Sequence, residues 1–180
     1  MRYALLLVAL AGCTVARADD DKVSAGKAAF VTVHQVLLHP RCMNCHPAGD
    51  APLQHVTSVP HAQNISRRSE KNGLRCATCH RDRNGTRPGQ PPGAPNWHLP
   101  PEDMPMIFEG RTPNQLCKQL KDPRQNGNRT LAQIVHHVED DKLVGWGWEP
   151  GPGREPVPIP RDQVVAALKM WVAAGAPCPD

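Results

Sequence analysis

The sequence predicts a mainly α-helical protein with long loops that are rich in proline and glycine. Four segments space their apolar residues as amphipathic helices do, and no segment alternates apolar and polar residues as a half-buried strand does. The 180 residues include 20 Pro and 14 Gly, which interrupt regular structure between those segments. Only 4% of residues are aromatic. One small domain with so little apolar material needs a disulfide, a metal or a cofactor to stabilise it.

The first predicted helix covers residues 23–38. Its apolar residues recur at roughly helical spacing, and Pro40 ends it because proline cannot continue a helix. The segment 47–74 shows little periodicity and is expected to be a loop. The segment 84–106 is also expected to be a loop, because its prolines and glycines exclude regular structure. The apolar face of the helix carries Ala25, Ala28, Ala29, Val33, Val36 and Leu37.

Three further helices are predicted in the C-terminal part of the chain. One follows Thr112, which can form a capping box with Gln115, and the next follows Thr130, which can pair with Gln133 in the same way. The last lies in RDQVVAALKMWVAAG and ends at Gly175, which is typical of a helix C-terminus. Its apolar side carries Val164, Leu168, Trp171 and Val172.

The N-terminal segment predicts export from the cytoplasm. Arg2 supplies a positive charge ahead of the apolar residues 4–11, which are too few to span a bilayer. The small-x-small sequence ARA then predicts cleavage before Asp19. Residues 1–18 would be the signal peptide, and residues 19–180 would form the mature domain.

A second processing route stays open. The sequence LAGC resembles a bacterial lipobox, so that residues 1–12 would be removed and Cys13 would become a lipidated first residue. Either route places the mature chain outside the cytoplasm, in a bacterial periplasm. The net charge of +4 includes no run of Lys and Arg, so a nucleic-acid partner is not expected. Membrane contact is expected only through a lipid on Cys13.

The sequence Cys-x-x-Cys-His occurs twice, in RCMNCHPAGD and in LRCATCHRDR, although the flanking residues differ. Since the chain has 9 His in 180 residues, finding His at both places by chance has odds of about one in 400. The two motifs therefore share a chemical requirement that includes the histidine. Their residues are Cys42, Cys45, His46, Cys76, Cys79 and His80.

Zinc, structural disulfides and a redox-active dithiol are alternatives for such cysteine pairs. A four-cysteine zinc site usually has its pairs about 15–20 residues apart, which is less than the separation of Cys45 and Cys76. A thioredoxin-like dithiol needs a βαβ context, which this sequence lacks. Zinc and two disulfides both leave the histidines unexplained.

Covalent haem accounts for every residue of both motifs. The two sulfurs of a motif add to the two vinyl groups of one haem, and the adjacent histidine ligates its iron. Export fits this chemistry, because c-type haem is attached outside the cytoplasm. A haem also supplies a large apolar plate around which a proline-rich chain can pack. The sequence therefore predicts a small dihaem cytochrome c, wrapped around two covalent haems.

The two motifs are those of c-type cytochromes, and further stretches extend the resemblance. HPRCMNCHPAGDAPLQ, RCATCH, PPGAPNWHLPPEDMPMIFEGRTPNQLCKQLKDP and GAPCP resemble a group of small proteobacterial dihaem proteins labelled "isoquinoline 1-oxidoreductase subunit". The resemblance runs from about His39 to the C-terminus. It implies that the chain accepts electrons from a molybdenum hydroxylase.

The leading functional hypothesis is a periplasmic cytochrome that carries single electrons between a donor oxidoreductase and a respiratory acceptor. No Ser-His-Asp set, carboxylate pair or nucleotide-binding loop stands out. An electron-transfer protein, or an electron-transfer subunit of an oxidoreductase, is therefore expected rather than an enzyme. The alternatives are a dihaem peroxidase-like enzyme or a haem-based sensor with one open iron site, and a haem-delivery module.

Two cysteines outside the motifs, Cys117 and Cys178, are expected to form a disulfide. Unpaired thiols are uncommon in exported proteins, and the bond would tie the C-terminal tail to the domain. The alternative is two unrelated free thiols.

The sixth ligand of each iron is predicted to be a histidine from a stiff, proline-rich loop, namely His61 in SVPHAQN and His98 in PNWHLPP. Met106 is the preferred substitute, ahead of Met104. His39 is too close to the first motif to reach over its own haem, although it could ligate the other one. His34 and His55 are further candidates, and His136 and His137 are expected to be ordinary residues of an amphipathic helix.

Several arginines near the motifs could pair with haem propionates, because a guanidinium binds a carboxylate through two parallel hydrogen bonds. For any single one of them, a solvated surface position is the simpler interpretation. These arginines are Arg67, Arg68, Arg81, Arg83 and Arg87.

Overall fold

The computed structural model describes the backbone of residues 4–180 and the side chains of residues 17–180. The protein is mainly helical, with 44% of its residues in helices and 2% in strands. This confirms the predicted fold class at that level. The part of the chain described contains seven α-helices: α1 (Ala4–Leu37), α2 (Pro40–Met43), α3 (Arg67–Lys71), α4 (Pro113–Lys121), α5 (Leu131–Asp140), α6 (Lys142–Gly145) and α7 (Arg161–Ala173).

Helix α1 is longer than the predicted helix 23–38, because it begins at Ala4 and continues to Leu37. The charged stretch RADDDK does not end it, since neither proline nor a glycine pair interrupts the backbone there. Ala25 and Ala28, expected on the apolar face, are exposed, whereas Phe30 is fully buried. The positive charge of Arg2 and the side chain of Cys13 lie outside the described residues.

The main core lies where α1, α4, α5 and α7 pack together. Phe30 of α1 meets Trp171 of α7 with ring centroids 4.9 Å apart, and both side chains are fully buried. Burying an aromatic side chain of this kind stabilises a fold by about 1.5–3 kcal/mol. Leu116 of α4 and Ile134 of α5 complete the same cluster.

The predicted capping boxes are present at the starts of α4 and α5. The Thr112 hydroxyl accepts a hydrogen bond from the Gln115 amide at 3.2 Å, and the Gln115 side chain accepts one from the Thr112 amide at 3.0 Å. Thr130 and Gln133 repeat this arrangement. Gly175, with φ at +85°, follows the C-terminus of α7 as expected.

The C-terminal tail is held against the body of the domain. Cys117 and Cys178 are joined at disulfide distance, as the sequence leads one to expect, across 61 residues of chain. The carbonyl of Ala176 accepts a hydrogen bond from the Lys121 ammonium at 2.8 Å. At the end of the chain, the carboxylate of Asp180 forms an ion pair with Lys27 of α1.

The segment between α2 and α4 consists mostly of loops, with several short elements that the sequence did not predict. Strands β1 (Leu53–Gln54) and β2 (Val59–Pro60) form a two-residue antiparallel hairpin, and α3 follows. Arg67 fastens this region, because its buried guanidinium donates hydrogen bonds to the carbonyls of Gly49 and Pro100. Contacts between distant parts of the chain hold these short elements, so the local sequence pattern does not reveal them.

Within the described residues, no helix is both long enough and apolar enough to cross a membrane.

Candidate functional site

The first Cys-x-x-Cys-His motif begins in α2 and leaves it as a tight turn. His39 caps α2, with its Nδ1 atom accepting a hydrogen bond from the Arg41 amide at 3.2 Å. Cys42 lies in the helix, and the Cys45 amide donates to the Cys42 carbonyl at 3.2 Å. This turn brings both sulfurs to the same region as His46.

The ring of His46 is fixed by the loop that precedes α4. Its Nδ1 atom donates a hydrogen bond to the backbone carbonyl of Met106 at 2.7 Å. The ring stacks on Phe108, with centroids 3.9 Å apart and planes 14° from parallel. The Phe108 amide donates in turn to the His46 carbonyl at 2.9 Å. One loop therefore holds the histidine both by hydrogen bonding and by stacking.

The second motif uses the same arrangement with different residues. Cys76 begins a turn of 3₁₀ helix, Cys76–Thr78, after which Cys79 and His80 follow. The His80 Nδ1 atom donates to the backbone carbonyl of Pro92 at 2.9 Å. The ring stacks on Trp97, with centroids 4.5 Å apart and planes 5° from parallel.

The shared anchoring has a chemical consequence for both histidines. An imidazole that donates from Nδ1 to a carbonyl carries its proton there, so that Nε2 keeps a lone pair. In His46 and in His80 the Nε2 atom makes no hydrogen bond to any described residue. Each motif histidine therefore presents a fixed, unprotonated nitrogen, which is what a metal ligand requires.

The side chain of Trp146 packs against that of Trp97. The two rings meet edge to face, with centroids 5.0 Å apart. The Trp146 indole nitrogen donates to the Asn84 side-chain oxygen at 2.9 Å, and the same oxygen accepts from the Gly93 amide at 3.1 Å. The loop around the second motif is thereby joined to the segment after α6.

The electrostatic setting keeps both imidazoles neutral. Burial lowers the pKa of His46 to about 4, although the hydrogen bond to the Met106 carbonyl acts in the opposite direction. Burial likewise lowers the pKa of His80, against the effect of its bond to Pro92. Neutral imidazole is the form that binds a metal.

The motif thiols form no disulfides, and burial keeps those of Cys42 and Cys45 protonated. Burial raises the pKa of Cys42 to about 12 and that of Cys45 to about 11. Cys76 adds to the rise at Cys45, which places the two motifs in the same region. A redox-active dithiol needs a lowered thiol pKa, so these surroundings do not favour that interpretation. The thiols that form no disulfide are those of Cys42, Cys45, Cys76 and Cys79.

The arrangement of possible metal donors bears on the zinc alternative. Across residues 4–180, as far as they are described, no three side chains of His, Cys, Asp or Glu group together as metal ligands would. A structural zinc site requires four such donors around one point.

The ring of His61 lies beside that of His80. Their ring centroids are 6.1 Å apart. The Nδ1 atom of His61 donates to the Ala62 carbonyl at 2.7 Å, so that its Nε2 atom also keeps a lone pair. Cys76 of the same motif opens onto a cavity of about 130 Å³ between α3 and residues 99–102.

His98 and His137 both lie near His46, since each contributes to lowering its pKa. His98 is exposed and bonds the Asn96 carbonyl through Nδ1 at 2.6 Å. His137 is half-buried on α5, with Nδ1 3.3 Å from the Asp141 carboxylate. It lines an open cavity of about 490 Å³ with His136. The sequence pointed to His98, whereas His137 was expected to be an ordinary helix residue.

The other candidate ligands have different surroundings. The carbonyl of Met106 binds Nδ1 of His46, and its side chain packs against the main core. Met104 lies in a turn, with its amide donating to the Pro101 carbonyl. The Nδ1 atom of His39 accepts a hydrogen bond, which leaves the proton of the neutral ring on Nε2. Nε2 of His34 bonds the Arg111 carbonyl.

Several residues that support the site were not singled out from the sequence. Phe108 stacks on His46 and Trp97 stacks on His80, while Trp146 contacts both Trp97 and Asn84. Each of these contacts joins residues at least 17 positions apart in the chain. Trp97 and Phe108 lie in the stretch PPGAPNWHLPPEDMPMIFEG, which is part of the resemblance described above. That resemblance was the available signal for these two residues.

No family model, no curated protein and no solved structure was found to match this chain.

Proposed function

We propose that this protein is a dihaem c-type cytochrome that transfers single electrons. Cys42 and Cys45 would hold one haem with His46 as an iron ligand. Cys76 and Cys79 would hold the other with His80. The protein would then be a mainly helical domain wrapped around two covalent haems, as the sequence predicts.

The observation that carries the proposal is the common anchoring of the two motif histidines. His46 and His80 each donate from Nδ1 to a distant backbone carbonyl and stack on an aromatic ring. The flanking sequences differ, so the similarity lies in the environment that each imidazole receives. A carbonyl bonded to Nδ1 fixes the ring orientation of a metal-binding histidine and increases its basicity. Neither disulfides nor a dithiol would require this.

The residues of the chain would bind, orient and shield the haems, whose irons supply the one-electron chemistry. Met106 and Pro92 fix the two motif histidines through their carbonyls, and Phe108 and Trp97 cover the histidine faces. Such contacts set how strongly each imidazole donates to iron, which is one means by which a protein adjusts a reduction potential.

His61 is the proposed second axial ligand at the second motif. A bound histidine places its ring centroid about 3 Å from the metal, since the metal–nitrogen bond is about 2 Å. The His61 and His80 centroids are 6.1 Å apart, so both rings would be able to reach one iron. For the first motif His98 is the proposed ligand, with Met106 and then Met104 as substitutes.

The proposed setting is the bacterial periplasm, between a donor oxidoreductase and a respiratory acceptor, and the resemblance implies a donor of the molybdenum hydroxylase class. Support comes from the signal-like residues 1–18 and from the resemblance described above. N-terminal analysis of the mature protein distinguishes the two processing routes, since it begins either at Asp19 or at a lipid-modified Cys13.

The test is the mass and colour of the denatured protein after expression with the c-type maturation system. We expect colour to remain with the chain in acid–acetone and the mass to exceed that of the processed chain by two haems. The double variant Cys76→Ala/Cys79→Ala should carry one haem, and so should Cys42→Ala/Cys45→Ala. Colour extracted into the solvent, or stoichiometric zinc, would refute the proposal.

Binding of carbon monoxide distinguishes an electron-transfer protein from an enzyme or a sensor. Two six-coordinate haems leave no free position on iron, so the spectrum of the ferrous protein should not change when carbon monoxide is added. A stoichiometric carbon monoxide complex at one haem would instead favour a peroxidase-like enzyme or a sensor.

A further inference from the structure

Arg41 is a buried cation between the two motifs. Its side chain belongs to a residue that is only 9% exposed, and Nε donates to the Glu155 carbonyl at 2.7 Å. The guanidinium carbon lies 5.5 Å from the centroid of the Trp146 ring. Among the side chains that the structure describes, no carboxylate lies within ion-pairing distance of Arg41.

A second cation, Arg154, lies next to Arg41. The carbonyl that Arg41 binds belongs to Glu155, which directly follows Arg154 in the chain. Arg154 is half-buried and donates to the carbonyls of Gln90 and Pro150. Burial lowers the pKa of Arg41, and the charge of Arg154 lowers it further. The side chain of Arg154 also forms no ion pair within the described residues.

Two neighbouring cations with this little exposure require an anion. A buried charge is costly unless it is paired, and like charges at short range add to that cost. The Glu155 carboxylate lies close enough to raise the pKa of Arg41, but it is exposed and forms no ion pair with Arg41. His39, the other titratable group nearby, bears no negative charge. Among the described residues, the terminal nitrogens of Arg41 have no hydrogen-bond acceptor, although a guanidinium fork suits a carboxylate.

We infer that Arg41 and Arg154 bind the propionate carboxylates of the haem held by the second motif. This inference rests on the proposed function. Two sets of contacts connect these arginines to the second motif. Arg41 lies over Trp146, which packs against Trp97, the residue that stacks on His80. Arg154 binds the carbonyl of Gln90, two residues before Pro92, whose carbonyl binds His80. The charge of Arg154 also acts on His80.

The arginines named from the sequence are less suited to this role. Arg67 is buried, but all three of its guanidinium nitrogens donate to backbone carbonyls, whereas Arg154 uses two and Arg41 uses one. Arg68 forms an ion pair with Glu102 at 2.9 Å. Arg81, Arg83 and Arg87 are exposed.

The test compares Arg41→Gln, Arg41→Lys and Arg154→Gln with Arg124→Gln, an exposed arginine paired with Asp122. Resonance Raman spectra of the holoprotein report hydrogen bonding at the propionates through their bending band, and a redox titration gives both midpoint potentials. A cation near a haem disfavours the oxidised iron, so its removal lowers the potential. The Cys76→Ala/Cys79→Ala protein, with one haem, identifies which potential belongs to the second haem.

We expect both glutamine variants to shift the propionate band and to lower the potential of the second haem only. Arg41→Lys should shift the band while largely retaining the potential, because it keeps the charge and loses the fork. The inference is overturned if the propionate bands of Arg154→Gln and Arg41→Lys match those of the wild type. It is also overturned if only the potential of the first haem falls. If Arg41→Gln does not fold, the other two variants still decide. A wild-type chain that carries fewer than two haems would refute the proposed function itself. The mass of the wild-type chain shows this independently of the arginine variants.

Discussion

The imidazole of His61 lies 6.1 Å from that of His80, measured between ring centroids, and the planes are inclined at 61°. Each ring has Nδ1 bonded to a backbone carbonyl. The pair connects the hairpin region to the second motif without a hydrogen bond between the two side chains. A spacing of this size would allow both rings to bind one metal ion.

Changing His61→Ala should open the iron of the second haem. We expect one of the two haems to become high-spin and to bind carbon monoxide, with half of the total haem responding in an optical titration. His136→Ala is the matched control, since His136 is an exposed histidine paired with Asp140. Carbon monoxide binding that is equal in the two variants would argue against His61 as a ligand.

The sixth ligand of the first haem should be His98. Removing it by His98→Ala should make that haem high-spin, because His98 is the only histidine in the loop 84–106 and it lies close enough to His46 to lower the pKa of that ring. His137→Ala should leave both haems low-spin if His98 is the ligand; His137 is the competing candidate, because its Nδ1 contact with Asp141 on α5 also leaves an Nε2 lone pair. Near-infrared magnetic circular dichroism measures the outcome and distinguishes bis-histidine from histidine–methionine ligation. The opposite result would assign the ligand to His137.

Replacing Trp97 tests how the second motif is supported. Trp97→Leu removes the parallel stack on His80 and the edge contact with Trp146. Such aromatic pairs contribute about 0.5–1.5 kcal/mol each beyond their area, so we expect a loss of about 1–3 kcal/mol. Urea denaturation gives the free energy of unfolding, and the electronic spectrum shows whether only the second haem changes. An equal spectral change at both haems would mean that the effect is not local.

The Cys117–Cys178 disulfide should stabilise the domain. It closes a segment with a sequence separation of 61, and removing such a bond typically costs about 2–4 kcal/mol. The Cys117→Ser/Cys178→Ser variant should unfold at lower urea concentration than the wild type. A thiol reductant should lower the wild-type midpoint without affecting the variant. If reductant has no effect on the wild type, then the bond is absent from the folded protein in solution.

Features encoded by neighbouring residues could be predicted from the sequence, whereas those made by distant contacts could not. The capping boxes at Thr112 and Thr130 depend on residues three positions apart, so local reasoning finds them. The Met106 carbonyl is 60 residues from His46, and nothing in the sequence pairs the two atoms. The extent of α1 was also missed, because an apolar segment followed by charges fits either a signal peptide or a continuous helix.

The candidate site shows the same division. The cysteines and histidines of the motifs are recognised by their spacing, which is local. Arg41 immediately precedes Cys42, yet its burial depends on Trp146 and on the carbonyl of Glu155, 114 positions away. The proximity of His137 to His46 likewise depends on how α5 packs. Tertiary packing decided these positions, and local sequence patterns carry no record of it.

Helix α1 offers a natural exchange point for protein engineering. Residues 17–25 are exposed, and close packing begins at Gly26, where an added Cβ atom would come within 2.6 Å of the Ala174 Cβ atom. A different segment could therefore replace residues 17–25 without altering a side chain of the described core. An affinity tag is better joined at that end, because at the other end Cys178 and Asp180 are fastened to α4 and α1.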